Sequence, residues 1–101
     1  MSLNDAERRR TADELQQALQ HCGLSADVVA TDLGFSRERL TGVLNLNGEQ
    51  NPVDVWQLRD YLQQAALDQG LTPTRFSVLT ESARSAARQW FQLRAAPRHE
   101  F

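Results

Sequence analysis

Ser25 to Asn45 reads SADVVATDLGFSRERLTGVLN, and this stretch constrains the fold more than any other. Its spacing predicts two short helices joined by a tight turn. Ser25 and Ser36 each precede a helix and stand as N-caps. Ala30 falls mid-way along the first helix, where a second helix passing close over it leaves room only for a small side chain. Gly34 comes four residues later, at the turn, where a positive φ is needed and glycine adopts it at least cost. Val29, Leu33, Leu40 and Val43 supply the apolar contacts that set the two helices against each other. Together these positions spell a helix-turn-helix.

Helical signals dominate the rest of the chain, and no stretch sustains a two-residue alternation. Thr11 and Glu14 form a T-x-x-E capping box and predict a first helix over residues 11–21. Asn4 offers an earlier cap, which would extend that helix back to Asp5. Ala12, Leu15, Ala18, Leu19 and Cys22 make its apolar stripe, and Gly23 ends it. A polar loop containing Asn47-Gly48 is expected over residues 45–51. Asn51-Pro52-Val53-Asp54 then starts a fourth helix, with a cap, a proline at the first position and an acid where the dipole favours one. Val55, Leu58, Leu62, Ala65 and Ala66 form its core stripe, Trp56 and Tyr61 flank it, and Gly70 closes it. After a connection over residues 71–79, a fifth helix is predicted from about residue 80 to 95. Ala83, Ala86, Ala87, Trp90 and Phe91 share one face of it. Pro97 stops it, and residues 97–101 are expected to fray. The predicted fold is all-α, a five-helix bundle in one domain of 101 residues.

The arrangement resembles the λ-repressor-like (Cro/repressor) DNA-binding fold over roughly residues 15–70, most specifically at Ala30, Gly34, Leu40 and Val43. The stretches SLNDAE, DVWQLRDYL and RQWF are also similar to an uncharacterised family of short bacterial helix-turn-helix proteins, over nearly the whole chain. The repressor resemblance implies double-stranded DNA as the partner and the third helix as the reading element. Its N-terminal end would enter the major groove. Leu40, Val43 and Leu44 must face inward, which leaves Arg37, Glu38, Arg39, Thr41 and Gly42 facing outward or sideways. Arg37 or Arg39 suits guanine N7 and O6, Glu38 a cytosine amino group, and Thr41 a thymine methyl. Gly42 permits close approach to the sugar-phosphate backbone. Ser25 and the amides after it suit a phosphate, as do Asn45 and Asn47.

Charge tempers this expectation. The formal net charge is −2, and the motif carries Asp27, Asp32 and Glu38 against Arg37 and Arg39. DNA-binding domains are usually basic, although the charge of one face matters most. All 11 basic residues are arginine, which a G+C-rich genome produces and which also suits bidentate contacts to phosphate and guanine. Arg8, Arg9 and Arg10 form a solvated helix face or a phosphate-following arm. Arg84, Arg88, Arg94 and Arg98 are expected to face solvent. The alternative function is a protein-interaction or antitoxin-like module with a partly vestigial helix-turn-helix.

Phe76, Val78, Trp90 and Phe91 are either core or the seam of a homodimer, and a two-fold dimer would read two half-sites. Cys22 is the one cysteine, so neither an internal disulfide nor a cysteine-based zinc site forms within one chain. His21 and His99 have no partners at ligand or triad spacing, and no glycine-rich phosphate loop occurs. No catalysis, cofactor or metal is expected. No apolar run spans a bilayer, and MSLNDAERRR lacks the apolar segment of a secretory signal, so a cytoplasmic location is expected.

Overall fold

Asn4 starts the first helix. Its side chain accepts from the Glu7 amide at 2.8 Å, and Glu7 Oε1 accepts from the Asn4 amide at 3.1 Å. This reciprocal pair satisfies the first-turn donors, an arrangement whose cap alone contributes about 1 kcal/mol. In the computed structural model, which describes residues 4–46 and 51–100, α1 therefore runs Asp5–His21. The expected box at Thr11 and Glu14 does not form. The chain is already helical there, Thr11 is buried, and the Glu14 carboxylate instead accepts from the amide and hydroxyl of Ser77 at 3.0 and 2.9 Å.

Leu15, Ala18 and Cys22 turn into the core from α1 and its C-cap. Burial pushes the Cys22 thiol pKa up, as expected of an inert packing residue. Ser25 then caps α2 (Ala26–Leu33) by accepting from the Val28 amide, and Ser36 caps α3 (Arg37–Asn45) by accepting from that of Arg39. Between them Gly34 has φ 72°, and the Phe35 amide reaches back to the Ala30 carbonyl at 2.9 Å. That backward bond is a Schellman-type helix end, and its left-handed residue favours glycine. Ala30 and Val29 are buried beneath the pair. At the far end of α3 the left-handed position is filled by Leu46, at φ 49°. Its side chain is buried and its carbonyl accepts from Arg8 Nη2 at 2.5 Å. Packing and that bond hold a conformation that costs a non-glycine residue about 1–3 kcal/mol.

Asn51 and Pro52 begin α4 (Pro52–Asp68) as the sequence predicts. This helix is the axis of the molecule. Trp56 and Tyr61, expected on its flanks, are buried together with Leu58, Leu62, Ala65 and Ala66. A helix buried around most of its circumference needs cover on several sides. α1 and α3 cover one side of it, and the chain after Gly70 wraps the rest. Phe76 and Leu79 enter the core from residues 71–79, and Ala87 enters from α5 (Glu81–Arg88). Thr80 caps α5.

α5 ends at Arg88, not near residue 95. Beyond its last turn the chain is taken up by α4. Arg94 pairs with Asp54, the Ala95 carbonyl accepts from Gln57 Nε2 at 3.1 Å, and Leu93 and Ala96 pack on the core. These tertiary partners outweigh further helix. The tail expected to fray carries Arg98 to Asp68 and His99 to Asp32. The class is all-α, with five helices and no strand among the described residues. None of these helices is long and apolar enough to cross a membrane.

Candidate nucleic-acid interface

Leu40, Val43 and Leu44 are buried and anchor α3 from behind. The opposite face carries Arg37, Glu38, Thr41 and the half-buried Gly42 around a shallow, open depression. One guanidinium, one carboxylate, one hydroxyl and one position without a side chain thus share a single accessible surface. Arg37 is 58% exposed and pairs with Asp27 of α2, itself 79% exposed. A pair so open to water is worth less than about 1 kcal/mol and is easily exchanged for another anion. The surface is not basic: Asp27 and Glu38 offset Arg37 locally.

Arg39 is exposed but reaches sideways, the second of the two placements expected. Its Nε donates to Asp54 Oδ2 at 2.9 Å and its Nη2 to Oδ1 at 2.6 Å, while the guanidinium lies 4.2 Å from the Phe35 ring centroid. The Asp54 side chain is only 8% exposed, and a carboxylate so buried requires cationic partners. Its bidentate bonds also raise the Arg39 pKa further. The two arginines offered as alternative base readers are therefore separated, one on the open face and one bracing α3 against α4.

Ser25 and Ser36 are exposed, with their hydroxyls engaged as caps. Asn45 is exposed and oriented by neighbours: its Oδ1 accepts from Gln16 at 2.6 Å, and its Nδ2 donates to the Thr41 carbonyl at 2.9 Å. Asn47 lies outside the described residues. In the N-terminal run, Arg8 turns to Leu46, and Arg9 and Arg10 are exposed.

Of the C-terminal arginines expected to face solvent, Arg88, Arg94 and Arg98 are exposed, and Arg84 alone is turned in. Arg84 is held by Asp60 and Glu81 over the Trp56 ring, Arg94 by Asp54, and Arg98 by Asp68. Arg88 alone of these four has no ion pair among the described residues. Arg59 escaped the sequence reading altogether. It is buried between Trp56 and Phe76, donating to the Leu79 carbonyl and to Gln63 and Asp60. The Arg59-Asp60 dipeptide within an apolar helix was the available signal.

Phe76 is corrected as a dimer-seam residue, because it is buried against Arg59 and cannot leave without opening the core. Val78 and Phe91 are half-buried, and Trp90 is 73% exposed. A second cluster joins α2, α4 and the tail: the Tyr61 hydroxyl donates to Asp32 Oδ2, and His99 Nδ1 lies 2.7 Å from the same oxygen. Burial, with the adjacent Asp32, pushes the Tyr61 pKa upward.

No curated protein and no solved structure matches the chain. A family model described as an uncharacterized protein conserved in bacteria, DUF2316, matches residues 1–92. That match covers most of the 101 residues, including every helix and the whole α3 face. The chain belongs to this uncharacterised, conserved bacterial family, DUF2316.

Proposed function

We propose that the chain is a sequence-specific DNA-binding regulator of transcription that lays α3 in the major groove. One observation carries the reading: Arg37, Glu38, Thr41 and Gly42 share an open face while Leu40, Val43 and Leu44 fix that face from behind. The resemblance of residues 15–70 to the λ-repressor-like fold supports it. Arg37 takes guanine through N7 and O6, Glu38 accepts from a cytosine amino group, and Thr41 meets a thymine methyl. Gly42 lets the sugar-phosphate backbone approach. Ser25 and Asn45 hold phosphates at the edges. Arg39 sets the pitch of α3 through Asp54. The regulator acts as a two-fold dimer about Trp90, Val78 and Phe91, so that two copies of α3 read two half-sites.

A second reading is a protein-interaction module whose helix pair no longer reads DNA. The observation favouring it is the pairing of Arg37 with Asp27 and of Arg39 with Asp54, in a chain of net charge −2. Selection of bound duplexes from a random library, run at two ionic strengths, separates the two. DNA reading yields an enriched motif, with affinity falling about 0.9 log unit per log unit of salt for each phosphate neutralised. An unenriched pool with a flat salt response favours the protein partner. Light scattering across concentration checks the dimer, which Trp90→Ala should dissociate and which monomer mass at high concentration would refute.

A further inference from the structure

A cleft of about 560 Å³ opens where α5 gives way to the chain that crosses α4. Asp60, Arg84, Arg88, Phe91, Gln92 and Arg94 line it. Three guanidiniums converge there in a protein whose overall charge is negative. The one carboxylate on the wall, Asp60, is already neutralised by Arg59 and Arg84. Arg84 is nearly buried and held in place by Asp60, Glu81 and the Trp56 ring. With Arg59, Asp60 and Glu81 it makes a fixed, charge-balanced wall, which leaves the net positive charge to Arg88 and Arg94. Arg88 is exposed and makes no ion pair among the described residues. Arg94 gives one nitrogen to Asp54, at 2.8 Å, and a guanidinium has five N–H donors. Two guanidiniums with donors to spare thus face one space, beside the half-buried Phe91 ring.

We infer that this cleft binds a small organic oxyanion, a phosphate monoester or carboxylate carrying an apolar ring, with Arg88 and Arg94 on the oxyanion and Phe91 against the ring. Guanidinium suits both headgroups because its planar fork matches two oxygens at once. The volume falls within the roughly 300–1,000 Å³ of small-molecule sites, so a bare inorganic ion leaves most of it unfilled. The site lies apart from the α3 face and does not rest on DNA reading, although the proposed dimer seam shares Phe91 with it. It is nonetheless one residue from α3 in the bonding network, because the carboxylate that holds Arg94 also holds Arg39. An anion that draws on Arg94 thereby alters the clamp on α3.

Titration calorimetry of the full chain with phenyl phosphate, benzoate, benzyl alcohol and inorganic phosphate tests the inference. Saturable binding of phenyl phosphate or benzoate is expected, with the stronger of the two naming the headgroup. Benzyl alcohol, which lacks the charge, and inorganic phosphate, which lacks the ring, should each bind at least about tenfold more weakly. Arg88→Gln should weaken the preferred ligand by about tenfold or more while keeping the wild-type melting curve, since the side chain is exposed. Arg75→Gln removes one exposed charge elsewhere and should change nothing. No saturation with either aromatic anion, equal binding of benzyl alcohol or inorganic phosphate, or an equal loss in Arg75→Gln overturns the inference.

Discussion

Arg39 closes two hydrogen bonds on the Asp54 carboxylate and so ties the first turn of α3 to the first turn of α4. Arg94 adds a third from the C-terminal segment, at 2.8 Å to Oδ1. One buried acid therefore fixes both the proposed reading helix and the chain that wraps the molecule. Asp54→Asn should destabilise the protein by about 1–3 kcal/mol in urea unfolding. The cost stays below that of stranding a fully buried charge, about 3–5 kcal/mol, because Arg39 is 40% exposed and can hydrate. Arg39→Ala should cost less than Asp54→Asn, since Arg94 still satisfies the carboxylate. The reverse order would show that Asp54 is not the hub.

Arg37 stands on the other side of α3, and its removal should separate binding from stability. Its pair with Asp27 is exposed on both sides, so Arg37→Ala should move stability by less than about 1 kcal/mol. Binding to a selected duplex should weaken by roughly 1–3 kcal/mol and lose preference at one base. Fluorescence anisotropy against the selected site and its single-base variants reads both effects. Equal affinity of variant and wild type would remove Arg37 from the interface.

The elements of this fold were legible where local chemistry decides them. Ser25, Gly34, Ser36, Asn51 and Pro52 mark ends through their own side chains or dihedrals, and each mark lies where the helix ends are found. The misreadings fall where distant contacts decide. Thr11 and Glu14 have capping-box spacing, but Asn4 and Glu7 had already nucleated the helix. Residues 89–95 have helical composition, yet Gln57 and Asp54 claim them from 38 and 40 residues away. Leu46 takes a left-handed cap that no glycine announces. At the candidate site, burial of Leu40, Val43 and Leu44 followed from periodicity, which also exposed Arg37 and Thr41. The partner that draws Arg39 sideways did not follow, because a charge pair across 15 residues leaves no periodic trace. For the same reason the packing of Arg84 against Asp60 and Trp56 left no trace.

Two left-handed glycines offer a controlled comparison. Gly34 has φ 72°, and a Cβ there would meet nothing within 4 Å. Gly34→Ala should therefore cost only the backbone penalty, about 1–2 kcal/mol. Gly23 has φ 76°, and a Cβ there would collide with the Gln69 side chain, which donates to the Cys22 and Ala65 carbonyls. Gly23→Ala should cost the same penalty plus about 1 kcal/mol for displaced hydrogen bonds. Chemical unfolding of the two variants gives the difference directly. A larger loss for Gly34→Ala would mean that the turn before α3 carries strain beyond its own dihedral.

Acid should release the tail before it unfolds the core. The hydrogen bond from Arg98, with help from Gln64, holds the Asp68 carboxyl below its ordinary range. Burial pushes Asp32 up, but the Tyr61 and His99 hydrogen bonds outweigh it and leave that carboxyl lowered too. A carboxylate lowered in the folded state stabilises it fully above its unfolded pKa, about 3.9, and loses that contribution as pH falls through the folded value. Both acids fasten residues 98 and 99, so their protonation loosens the C-terminal segment from α2 and α4. The amide and side-chain signals of Arg98 and His99 should shift toward those of a free chain end below about pH 4, while the amides of Leu58 and Leu62 stay protected from exchange. In Asp68→Asn the tail should already be looser at neutral pH and change less on acidification. Tail and core signals that moved together, or tail signals constant down to about pH 2.5, would show that these two carboxylates do not govern the segment.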